Sequence, residues 1–155
     1  MTAPILVFGW GNPARGDDAL GPLLVEWIAA LQIPEVECLT DFQLQVEHAL
    51  DLEGRQCVLF VDASLDAEAP FTVRPITPAA RADCNSHTLA PEAVLQVYIE
   101  LQERPPPPCQ LLAIHGESFE LGTGLSAAAK NNLAIASEWV KNWLSGTGCQ
   151  LSVRS

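Results

Sequence analysis

The stretch Ile5-Leu6-Val7-Phe8-Gly9-Trp10-Gly11-Asn12-Pro13-Ala14-Arg15-Gly16-Asp17-Asp18 decides how the rest of the chain is read. Ile5 to Phe8 is an apolar run of strand character, Gly9 to Gly16 is a glycine-rich turn, and a helix starts near Asp17. Such a strand-to-helix turn usually cradles an anion on its free N–H groups. Here two adjacent carboxylates, Asp17 and Asp18, load the helix mouth with negative charge, which suits a cation or a proton-transfer role better than a phosphate. Acids in the first helical turn also offset the macrodipole. With a period of about 3.6 residues the two side chains cannot point the same way, so one of them is expected to serve the helix alone.

Outward from this unit, strands and helices alternate. Leu20, Leu23, Leu24, Trp27, Ile28 and Leu31 recur at helical spacing as one broad apolar stripe, ended by Ile33-Pro34. Val36 to Leu39 reads as a short strand, and Gln43 to Leu52 as a helix stopped by Gly54. Cys57 to Val61 is a continuous apolar run, as expected of a central strand covered on both faces. Phe71 to Ile76 alternates and carries Pro75, which makes it an edge strand. Pro91 opens a helix to about Leu101, with Val94, Leu95, Tyr98 and Leu101 inward. Pro105 to Pro108 is a stiff spacer, Gln110 to Ile114 a fifth strand, Ser126 to Leu144 the last helix, and Ser145 to Ser155 a polar tail. The fold class expected is α/β: one domain over residues 1–155, a three-layer α/β/α sandwich around a five-stranded, mostly parallel sheet with one antiparallel edge strand.

Composition narrows the function. A net charge of −11 opposes binding to nucleic acid or anionic membranes, both of which need clustered Lys and Arg. No apolar run is long enough to span a bilayer and no basic region precedes the first apolar stretch, so a cytoplasmic protein is expected. The five cysteines, Cys38, Cys57, Cys84, Cys109 and Cys149, are odd in number and widely spread, and read as reduced thiols without zinc-finger spacing.

In a parallel sheet ligands bind outside the carboxyl ends of the strands, where the strand order reverses. Asp18 follows the first strand, Asp41 the second, and Asp62 ends the third, so the fold gathers three distant acids onto one rim. A charge closing the run Cys57 to Val61 needs a partner, a cation or solvent, although a lone Asp there equally serves as a cap. His87, in the polar loop Cys84 to Leu89, is the most informative histidine, with a solvated surface role as its plain alternative. His48 and His115 read mainly as structural. Two carboxylates and an imidazole suit Zn²⁺, Ni²⁺ or a similar borderline cation, with positions left open to water or substrate.

These residues resemble those of the hydrogenase maturation proteases, endopeptidases that trim the C-terminus of the [NiFe]-hydrogenase large subunit. Gly9 to Gly21 resembles the family opening G-x-G-N-x-x-x-x-D-[DE]-x-x-G, Val61-Asp62-Ala63 its second ligand-bearing strand end, and Ser86-His87 its third ligand motif. The resemblance implies metal contacts from Asp18, Asp62 and His87, and a part in cleavage for Asp41, giving a catalytic set of Asp18, Asp41, Asp62 and His87 in an aspartyl-type endopeptidase. Many members carry D-G-G-T after the second strand. The segment Asp41-Phe42-Gln43-Leu44-Gln45-Val46-Glu47 departs from it and is similar to the branch serving soluble, NAD(P)-linked bidirectional hydrogenases.

The resemblance further implies a monomer whose partner is the large-subunit precursor. Nickel arrives on that substrate, and Zn²⁺ or Cd²⁺ binds the acidic rim adventitiously. Two other classes fit parts of the pattern: a dinucleotide-binding module, from Gly9-x-Gly11, and a receiver-like signalling domain, from the acids after strands one and three. The third glycine is displaced for the first, and the second wants a basic residue where Ile114-His115-Gly116-Glu117 stands.

Overall fold

The computed structural model describes residues 2–80 and 89–146. Five strands, β1 (Ile5–Trp10), β2 (Val36–Asp41), β3 (Cys57–Ser64), β4 (Phe71–Ile76) and β5 (Cys109–His115), form one sheet in the order β2-β1-β3-β5-β4. β1 pairs in parallel with β2 and β3, β3 in parallel with β5, and only β4 runs antiparallel, at the edge where Pro75 placed it. Three α-helices, α1 (Leu20–Ala30), α2 (Pro91–Gln102) and α3 (Ala127–Ser145), flank it.

Alternation along the buried strands divides the core into two layers. Val7, Leu59 and Val61 face α1 and α3, packing with Leu20, Leu24, Ile28, Ala136 and Val140. Leu6, Phe8, Val58 and Phe60 face the other way, onto Leu52, Val94, Leu95 and Tyr98. The three-layer α/β/α reading therefore holds.

Several local expectations are corrected. The stripe on α1 is narrower than the spacing implied, because Leu23, Trp27 and Leu31 lie on its outer side and are partly exposed. Leu101 likewise turns to solvent at the end of α2. The segment expected as a helix over Gln43 to Leu52 is a short 3-10 turn at Val46–Leu52, and a second 3-10 turn, Gly16–Ala19, precedes α1. Cys38 and Cys109 are free thiols, whereas Cys57 is disulfide-bonded, against the expectation of reduced cysteines throughout. Among the described residues no helix is long and apolar enough to cross a membrane.

The order reverses around β1: the chain leaves it for β2 on one side and returns to β3 on the other. The carboxyl ends of β1 and β3 thus flank the switch point at which α/β sheets bind ligands.

Candidate functional site

The turn after β1 is built by its own hydrogen bonds. The Asn12 amide donates to Asp18 Oδ2 at 2.7 Å, and the Ala14 amide to Asn12 Oδ1 at 2.9 Å. The Gly11, Arg15, Asp17 and Asp18 amides donate to the carbonyls of Asp41, Asn12, Ser118 and Arg15. Pro13 has no N–H to give. A phosphate cradle needs these same donors free, and here they are spent on the turn, which removes the physical basis for a nucleotide site.

Glycine is required at one point of the turn and at one in the first turn of α1. Gly11 has φ +151°, and a Cβ there would stand 2.0 Å from the Asp18 carbonyl oxygen. A Cβ on Gly21 would meet the Trp10 and Val61 carbonyls at 2.8 Å, so this glycine lets α1 lie against the ends of β1 and β3.

Asp17 and Asp18 part company as the helical period demands. Asp17 is fully buried. Its Oδ2 accepts from the Glu117 amide at 2.8 Å, the Ser118 amide at 3.1 Å and Ser126 Oγ at 2.7 Å, while Oδ1 accepts from the Ser126 amide at 2.8 Å. Burial alone would raise its pKa, but these donors outweigh it and hold the carboxyl below its usual range. Asp17 therefore ties the turn to the segment after β5 and to the start of α3, where Ser126 caps the helix by accepting from the Ala129 amide.

Asp18 instead opens onto a cleft of about 930 Å³, whose lining includes Trp10, Asn12, Arg15, Phe42, Asp62 and Arg74. Asp62 faces the same space. It sits within β3, opposite Ala113 of β5, and the strand continues to Ser64; the sequence had placed it at the strand's end. Burial pushes the Asp62 carboxyl up to about 7; the Ala63 amide at 2.8 Å opposes the rise and the charge on Asp18 adds to it. Two carboxylates, one from the turn after β1 and one from β3, thus face one cleft, and a cation there would relieve their repulsion. That donor chemistry fits a divalent ion.

Asp41 is the last residue of β2 and stands beside the cleft, outside its lining, while Phe42 and Gln43 reach into it. Asp41 Oδ1 accepts from the Phe42 amide at 2.7 Å, and Oδ2 lies 3.1 Å from His48 Nε2. This pairing was missed in the sequence, where His48 carried only a structural reading, because it depends on Val46–Leu52 winding as a 3-10 turn beside the end of β2. His115 is engaged locally, its Nδ1 at 2.8 Å from the Ala67 carbonyl. His87 lies outside the described residues, and among those described no group of three or more His, Cys, Asp or Glu side chains could hold a metal ion.

Similarity to known proteins appears in three dimensions only. No protein-family model matches the sequence, and no curated protein matches it significantly. Among solved structures, the [NiFe] hydrogenase maturation protease HycI from Thermococcus kodakarensis superposes with a TM-score of 0.71 at 23% identity, over 93% of this chain and 94% of the other. The hydrogenase maturating endopeptidase HybD from E. coli gives 0.67 at 24% identity, over 92% and 93%. A hydrogenase 3 maturation protease gives 0.58 at 20% identity, over 86% of each. The chain shares the fold of these proteins over most of its length.

Proposed function

We propose that this fold works here as it does in the proteins it matches, as a hydrogenase maturation endopeptidase that removes the C-terminal extension of a [NiFe]-hydrogenase large-subunit precursor once nickel is in place. One observation carries the reading: Asp18, in the turn after β1, and Asp62, within β3, line the same open cleft at the switch point, and burial, with the Asp18 charge adding to it, raises the Asp62 carboxyl to about 7. Crowded carboxylates in a partly dry cleft are a receptor awaiting positive charge.

The nickel borne by the precursor would supply that charge and polarise the groups bound to it. Asp18 and Asp62 would offer it oxygen ligands, and His87 a nitrogen by the resemblance. Three protein ligands leave room for thiolates of the precursor itself. Asp18 is held for this by the Asn12 amide, and Asp62 by the Ala63 amide. A metal-free precursor finds an acidic cleft with nothing to neutralise it, so the order of events follows from electrostatics: insertion first, cleavage second. Asp41 serves cleavage from the rim. The segment from Asp41 to Glu47, in place of D-G-G-T, resembles that of the branch serving soluble, NAD(P)-linked hydrogenases, and supports a substrate of that kind.

The test is processing by Asp62→Asn, which removes charge at nearly constant volume. Lost cleavage with a melting temperature at or above wild type supports the reading. A folded Asp62→Asn protein that trims the precursor at the wild-type rate reduces Asp62 to a cap.

A further inference from the structure

The imidazole of His48 is nearly enclosed, with its ring edge-on to Phe8 at 4.5 Å between centroids, and both nitrogens are engaged. The Gln45 amide donates to Nδ1 at 2.8 Å. An N–H pointing at Nδ1 requires a bare nitrogen there, so the neutral ring carries its proton on Nε2. That proton faces Asp41 Oδ2 at 3.1 Å. The backbone thus selects the tautomer, and the tautomer makes His48 a donor to Asp41.

The remaining contacts of Asp41 complete the clamp. Its Oδ1 takes the Phe42 amide, its carbonyl takes the Gly11 amide at 3.1 Å, and Trp10 pairs with it across β1 and β2. Its side chain still keeps 43% of its surface open beside the cleft. Each carboxylate oxygen therefore holds one donor and retains capacity for another.

We infer that His48 is a positioning residue, whose neutral imidazole fixes the Asp41 carboxylate in the orientation it uses in cleavage. This rests on the reading of Asp41 as the cleavage acid. The rival role is a cap: His48 closing the 3-10 turn through Gln45 and doing nothing for Asp41.

Two substitutions separate these roles. His48→Asn keeps an acceptor where Nδ1 stands but cannot reach Asp41. His48→Gln places an amide donor at the reach of Nε2 and gives up the bond to Gln45. Positioning predicts that His48→Asn lowers kcat on the nickel-loaded precursor by about 10- to 100-fold with KM little changed, the scale of a misplaced reacting group. His48→Gln then recovers most of it even if less stable, and His48→Asn adds nothing further to Asp41→Ala. Wild-type kcat in a folded His48→Asn protein, or kcat losses in both variants that follow their melting temperatures, would overturn the inference. So would full activity in Asp41→Ala. Absence of any cleavage by the wild type would count against the protease reading itself; ¹⁵N spectra of the His48 ring then decide the pairing alone, with a proton on Nε2 expected and one on Nδ1 contradicting it.

Discussion

Asp17 and Ser126 stand 109 residues apart in sequence and are joined by two hydrogen bonds, amide to Oδ1 at 2.8 Å and hydroxyl to Oδ2 at 2.7 Å. The bond pair fastens the turn after β1 to the first residue before α3 and keeps Asp17 out of the cleft that its neighbour Asp18 lines. One acid holds the site together and the other faces the cleft.

Replacing Asp17 with Asn should therefore cost stability. The carboxylate accepts four donors in a buried position, and an amide would turn its NH₂ toward some of them. A loss of about 2–4 kcal/mol is expected in denaturant unfolding. The dependence on pH has a definite sign. A depressed folded pKa contributes stability above the ordinary value of 3.8, and that contribution disappears as pH falls through the folded pKa. Wild type should lose stability steeply below about pH 4 and Asp17→Asn much less so.

Asp62 should behave in the opposite sense. Its folded pKa is raised from 3.8 to about 7, so its contribution to the metal-free protein is present below 3.8 and is lost as pH rises toward 7. Asp62→Asn escapes this penalty. Its stability advantage over wild type should grow by about 2–3 kcal/mol between pH 5 and pH 8. Unfolding curves for both proteins at the two pH values measure it, and an advantage independent of pH would refute the coupling.

Gly11→Ala should disable the site by displacing the backbone of Asp18. Its Cβ would overlap the Asp18 carbonyl at 2.0 Å, on a backbone with φ +151°. Relief requires moving Asp18. A loss of more than about 2 kcal/mol, together with loss of processing, is expected.

Cd²⁺ or Zn²⁺ at high concentration should raise the melting temperature of wild type and of Asp41→Ala, and leave Asp18→Asn and Asp62→Asn unmoved. Asp41 is committed to Phe42 and His48 and does not line the cleft, whereas the other two do. Equal loss of the metal effect in Asp41→Ala would make Asp41 a ligand.

What the sequence made legible were features carried by short-range pattern. The apolar run at Cys57 to Val61 marked a central strand, Pro75 marked the antiparallel edge, and alternating elements brought Asp18 and Asp62 to one rim. Features set by tertiary partners were hidden. Nothing around Asp17 announces that Glu117, Ser118 and Ser126 will satisfy it. The pairing of His48 with Asp41 depends on Val46–Leu52 winding as a 3-10 turn, where an α-helix was expected. Leu101 and Trp27 lie on apolar stripes, yet both are exposed.

In the proposed function the cleft accepts a precursor only when a cation fills its acidic wall. Incubation of this protein with nickel-loaded and nickel-free large-subunit precursors, followed by intact-mass measurement of the large subunit, tests this directly. The expected result is loss of a C-terminal peptide from the nickel-loaded form alone. Equal trimming of both forms, or of neither, would contradict it.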